Sequence, residues 1–259
     1  MKGRVGKTTL TFLIATTMNR LLKSNYRILC VDLDPQANLT THLIREELVY
    51  HLHEINISHL FAGRTKSLSQ HMFESRYDSI TILPSHIELA LLEKTLQSHL
   101  TAPIILRKAL ETVKPSYDLV LIDCPPSLGI LTSNGIIASD YVIVPITPDT
   151  MSLSGLGHTL TNLEQCKYFN PNTKLLSLVI NMVDRRYASH NVFLEYTYKN
   201  PPAPILFQPL TRRAVIPRLL GRQKIFDEID KADPDLKQEL TDFMHKFAEL
   251  VDLKAGEQT

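Results

Sequence analysis

The residues best equipped for chemistry lie in three short stretches of the 259-residue chain. The first is Lys2-Gly3-Arg4-Val5-Gly6-Lys7-Thr8-Thr9. Gly3 and Gly6 let a backbone curl until its N–H groups converge on phosphate oxygens. A helix starting near Lys7 aims its N-terminus at the same anion. Lys7 can neutralise β- and γ-phosphates, and the Thr8 hydroxyl can ligate Mg²⁺. The general pattern G-x-x-x-x-G-K-[ST] is not met, because Met1 falls where its first glycine belongs. The second stretch is VDLDPQANLT, with Asp32 and Asp34; the third is LIDCPPSLG, with Asp123. An acid that closes an apolar strand commonly holds Mg²⁺, often through water, which suits Asp123. A hydrolase also needs a group to orient the attacking water, and Pro35 stiffens the loop beside Asp34 for that role.

Such residues need strands that end together and a helix that starts beside them. The chain alternates accordingly. Residues 8–23 read as a helix with apolar Leu10, Leu13, Ile14, Met18, Leu21 and Leu22 at helical spacing. YRILCVDLD, SITILPS, YDLVLIDCPPS, YVIVPITP and KLLSLVINMV read as buried strands. IELALLEKTLQSHL, APIILRKALETV, NGIIAS, LSGLGHTLTNLEQCKYF, residues 187–200 and residues 236–253 read as helices, and residues 201–209 as holding a short strand. Residues 35–78 are not assigned. The alternation implies an α/β fold, a Rossmann-like, mostly parallel sheet with helices on both faces. Ligands then bind at the carboxyl ends of its strands.

Composition narrows the class. A charge of +1 means that nucleic-acid binding must come from a local patch. Cys30, Cys124 and Cys166 are odd in number and form no C-x-x-C pair, which disfavours a disulfide framework, a zinc site or a cluster pair and fits a cytoplasmic protein. No apolar run approaches the roughly 18 residues of a membrane span. His51, His53 and His59 in HLHEINISH lack a supporting cysteine and read as loop residues.

Together the three stretches resemble the ParA/Soj-type partition ATPases, in the deviant Walker A (ParA/MinD) group of P-loop NTPases. That family's K-G-G-x-G-K-T-[ST] corresponds to residues 2–9, with Arg4 in place of the second glycine. Its D-x-D-P-Q-[GA]-N corresponds to residues 32–38, and its ID-x-PPSLG to residues 122–129. The following NGIIASDYVIVPITPDTMSLSGL is similar as well. The resemblance implies one domain over residues 1–259, and its loop normally follows a strand, so a first strand is expected upstream of Met1. It further implies ATP and Mg²⁺ as cofactors and an ATP-driven homodimer. Lys2 would reach across to the phosphates of the second copy, and Lys7 and Asp34 would complete the catalytic set. Gly3, Val5, Gly6, Lys7, Thr8 and Thr9 would wrap the phosphates. Asn181 would recognise adenine, and Thr8, Asp32 and Asp123 would lie at the metal.

The family's dimers bind DNA nonspecifically, on the nucleoid, and a ParB-like centromere-binding partner stimulates hydrolysis. Arg212, Arg213, Arg218, Arg222 and Lys224, in a segment without acids, are the DNA candidates here, with Arg185 and Arg186 at another strand end. The terminal HKFAELVDLKAGEQT has mixed charge and little apolar length, which disfavours membrane recruitment. Two other readings stay open: a noncatalytic nucleotide-binding scaffold, and a related ATPase that positions non-DNA cargo.

Overall fold

The computed structural model describes residues 5–65, 67–97, 99–220 and 225–253. The helix after the phosphate loop is α1 (Lys7–Leu22); it opens from Gly6 and closes on Lys23, both in the left-handed region. Its buried stripe of Leu10, Leu13, Ile14, Thr17 and Met18 has the spacing of one helix face. The next apolar run is β1 (Ile28–Asp32), buried at every residue. Residues 35–78 hold two short helices, α2 (Asn38–Leu43) and α3 (Ser58–Phe61), two 3₁₀ turns and the two-residue strand β2 (Phe73–Glu74). Then come β3 (Ile80–Leu83), α4 (Leu89–Leu96), α5 (Ile105–Leu110), β4 (Leu119–Asp123), α6 (Ile130–Ala138), β5 (Tyr141–Ile146), α7 (Thr150–Cys166) and β6 (Lys174–Ile180). The chain closes with α8 (Ala188–Lys199), α9 (Ile216–Leu219), α10 (Ile225–Ala232) and α11 (Pro234–Leu250).

The expected α/β architecture is present, with the strands in two ladders. One has the order β2-β3-β1-β4, parallel except for β2; the other pairs β5 with β6 in parallel. Side chains of β1 alternate between two cores. Ile28 and Cys30 join a cluster built on α1, α10 and α11, while Leu29 and Val31 join one built on α3, α4 and α5. A third cluster holds β5, β6, α7 and α8.

Several expectations change. No named strand forms at residues 201–209: Pro204 O accepts from Leu178 N and Leu206 N donates to Ser177 Oγ, so this segment follows β6 irregularly. Four prolines among the nine residues remove the donors that a ladder needs. The helices read at residues 87–100 and 102–113 are interrupted, with 3₁₀ geometry leading into α5 at Pro103. α9 and α10 carry no sequence expectation.

Candidate phosphate and metal site

Gly6 sits at φ +88°, where a side chain is strained, and a Cβ there would lie 2.4 Å from Asn181 Nδ2. Glycine is thus required twice over. Asn181 Nδ2 donates to Val5 O at 2.9 Å, and its Oδ1 accepts from Met182 N at 2.9 Å. The residue expected to read adenine therefore also buttresses the loop from the end of β6. Met182 follows in the left-handed region at φ 58°, a strained conformation for a non-glycine residue. No acid occupies the first turn of α1 and, among the described residues, no side chain caps it, so the N–H groups behind Gly6 are open to an anion.

Thr8 and Asp123 meet across the loop: Thr8 Oγ1 donates to Asp123 Oδ2 at 2.6 Å. Asp123 is 1% exposed, and its Oδ1 is buried without a hydrogen-bond partner. Burial pushes its carboxyl upward, and the neighbouring Asp32 adds to that. Half-buried Lys7 is lowered by burial, which Asp123 and Asp34 oppose.

Asp32 and Asp123 are register partners at the ends of β1 and β4. Asp32 is fully buried with both oxygens committed: Oδ1 accepts from Asp34 N at 3.0 Å, and Oδ2 from Thr40 N and Thr40 Oγ1 at 2.9 and 2.8 Å. Burial raises its carboxyl despite these bonds. Neither Asp32 oxygen is therefore open as a direct ligand, in contrast to Asp123. Thr40 carries no expectation from the sequence; a threonine eight positions after an aspartate has no recognisable signature. Asp34 is 8% exposed, and its Oδ1 accepts from Gln36 N at 3.0 Å, an Asx turn that fixes the carboxylate.

The orphaned Asp123 Oδ1 and the Thr8 hydroxyl fit Mg²⁺, which takes one or two protein oxygens and leaves the rest to phosphates and water. Among the described residues no group of three His, Cys, Asp or Glu could hold a metal alone. Beside the loop lies a cavity of 520 Å³ lined by Thr9, Asn181, Met182, Thr211, Arg212 and Pro217, among others.

The basic candidates separate. Arg212 N donates to Val183 O at 2.8 Å, which brings Arg212 beside Arg185 and Arg186; Arg185, Arg186, Arg212 and Arg218 are exposed. Arg186 is already paired with Asp184 through Nε at 2.9 Å and Nη2 at 2.6 Å. Arg213 departs from the expected patch. It is 23% exposed, with Nη1 3.3 Å from Asp233 and Nη2 3.8 Å from Glu239, so its charge is spent inside the fold. Lys2, Gly3, Arg222 and Lys224 lie outside the described residues.

Comparison with known proteins agrees with this geometry. An AAA domain family model matches residues 1–175. A virulence plasmid ParA family protein of Chlamydia psittaci is 30% identical over 86% of this chain and 82% of its own. The chain belongs to the ParA/Soj-type P-loop ATPase family. Within that family, the chromosome-partitioning ATPase Soj of Thermus thermophilus is 36% identical over 71% of this chain and 68% of its own. Among solved structures, cobyrinic acid a,c-diamide synthase of Mycobacterium smegmatis with bound ADP and magnesium superposes with a TM-score of 0.71. It is 30% identical and covers 89% of this chain and 92% of its own. The residues matched by the family model include both acid clusters as well as the loop.

Proposed function

We propose that the chain is a partition ATPase that binds ATP with Mg²⁺, dimerises and binds DNA nonspecifically. The observation that carries this reading is the Thr8–Asp123 contact beneath the start of α1, with Asp32 and Asp34 at the adjacent strand end. Thr8 and Asp123 would hold Mg²⁺, which supplies charge neutralisation to the phosphates when bound. Lys7 and the free amides after Gly6 receive the β- and γ-phosphates, and the cavity beside Asn181 takes the base. Asp34, held by Gln36 N, orients the attacking water. Lys2 of a second copy would add charge at the transferred phosphate, as an arginine finger does. The names of the relatives support the partition role, and Arg185, Arg212 and Arg218 supply an exposed basic rim for phosphate backbones.

The test is ATP turnover and retention on nonspecific duplex DNA, with ATP or ADP, at low and high salt. Turnover and ATP-dependent, salt-sensitive retention are expected. Arg185, Arg212 and Arg218 to Glu should abolish retention and leave nucleotide affinity intact. ATP binding with no turnover under any condition would establish the scaffold reading instead. Turnover without retention on DNA at low salt would point to another cargo.

A further inference from the structure

We propose that Thr40 is a positioning residue for ATP turnover: its hydroxyl closes residues 32–40 around the Asp32 carboxylate and so sets where the Asp34 carboxylate points. The role presupposes the ATPase reading of the site. One side chain holds both ends of this loop. At the front, Asp34 N donates to Asp32 Oδ1 at 3.0 Å; at the back, Thr40 N and Thr40 Oγ1 donate to Asp32 Oδ2 at 2.9 and 2.8 Å. The Thr40 hydroxyl also accepts from Ser85 N at 2.9 Å. Pairing between β1 and β3 ends at Val31 and Leu83, so the hydroxyl extends the tie between these two strand ends past their ladder. Asp32 and Thr40 are 0% exposed and Ser85 is 1% exposed, so water does not replace a bond lost here.

The chemistry of a hydroxyl suits this place. Asp32 Oδ2 needs a donor and Ser85 N needs an acceptor, and a hydroxyl is both at once. With Ser85 N on its lone pair, the Thr40 proton is directed at Asp32. Valine has nearly the same shape and can do neither. The loop between the two anchors is tight. Ala37 N donates to Asp34 O at 2.8 Å, and Gln36 N to Asp34 Oδ1 at 3.0 Å. Ala37 lies in the left-handed region at φ 53°, just ahead of α2. Such a conformation persists in a non-glycine residue only where its surroundings over-determine it, and the bonds at Thr40 supply that constraint from the far side. Among the described residues, none of the hydrogen bonds of Thr40 goes to the phosphate loop. Loosening Thr40 therefore misplaces Asp34 while the groups that receive the phosphates stay put, and misplacing a water-orienting group costs turnover more than binding.

The experiment compares the parent chain with Thr40→Val and Thr40→Ser, by amide hydrogen exchange without nucleotide and by steady-state ATP turnover with Mg²⁺. In Thr40→Val the amides of Asp34 and Ser85 should exchange at least about tenfold faster, while those of Cys30 in β1 and Met244 in α11 stay within about twofold. Its kcat should fall by about 10²-fold with KM within about threefold of the parent. Thr40→Ser keeps the hydroxyl and should restore both readouts. Thr40→Ala takes the place of Thr40→Val if the valine variant does not fold. Unchanged exchange at Asp34 overturns the proposal. Equal acceleration at all four amides also overturns it, by showing that the hydroxyl only supports the fold. A raised KM with kcat intact, or a serine variant as slow as the valine one, refutes it as well. A parent chain with no turnover would defeat the ATPase reading itself, and exchange at Asp34 would then decide alone whether Thr40 sets the loop.

Discussion

Asp123 is a buried carboxylate with one oxygen on Thr8 and the other unpartnered, which is costly unless a cation completes it. Thr8→Ala removes one of the two oxygens offered to Mg²⁺ and leaves Asp123 without its hydroxyl donor. Its affinity for a fluorescent ATP analogue should fall at least tenfold in Mg²⁺, about 1.4 kcal/mol, and less than twofold in EDTA. An equal loss in both buffers would show that Thr8 serves the loop and not the metal. Asp34 is separable from binding because its carboxylate is held by Gln36 N and not by the loop. Asp34→Asn keeps the shape and that acceptor, so nucleotide affinity should stay within a few-fold while turnover drops by about 10²–10³. Unimpaired turnover would remove Asp34 from the chemistry.

Elements decide which of these residues meet, and here the sequence was legible unevenly. YRILCVDLD and YDLVLIDCPPS announced β1 and β4 because long apolar runs closing on an acid have few alternatives in a parallel sheet. Their pairing, which puts Asp32 opposite Asp123, is nonlocal and left no mark in either run. The C-terminal third was read less well. Arg213 looked like its neighbours Arg212 and Arg218 because charge spacing does not say which arginine faces Asp233 and Glu239. Those acids lie in the cap and second turn of α11, where Asp233 also accepts from Leu236 N and Glu239 from Thr211 N. Arg213→Ala would leave two largely buried carboxylates uncompensated and should cost about 2–4 kcal/mol in urea melts, against less than about 0.5 for exposed Arg212→Ala. Equal costs would place Arg213 back on the surface patch. The opposite ends of β1 and β4 are tied by Asp118, which accepts from Arg27 N at 2.8 Å and from its guanidinium at 3.2 Å. Arg27 holds the Asp118 carboxyl below its usual range. A depressed folded value stabilises above the unfolded carboxyl range and is lost as pH falls through the folded value. The stability gap between the parent chain and Asp118→Asn should therefore be open at pH 7 and close below about pH 4. A gap independent of pH would mean that the bond matters and the charge does not.

At the scale of the whole molecule, two ladders that do not pair with each other among the described residues are joined by packing. The largest core cluster does so: it holds Ile28 and Cys30 of β1, Ile80 and Ile82 of β3 and Val179 of β6, under the apolar faces of α1 and α11. Phe243 lies on this bridge at 4% exposure, stacked on Phe207 with ring centroids 4.3 Å apart and near Phe247 at 6.5 Å. The contact joins α11 to the irregular segment beside β6, while α11 also packs on α1, whose first turn carries Lys7 and Thr8. Truncating a ring so placed opens a cavity that neighbours from both ladders border. Phe243→Ala should cost about 3–5 kcal/mol. The loss should also be shared, because a cluster spanning both ladders opens as one unit. Native-state hydrogen exchange of the variant should show amides of β1 and of β6 losing protection by similar factors. Faster exchange confined to α11 and β6, with β1 unchanged, would show that α11 is a local cover and that the two ladders are joined elsewhere.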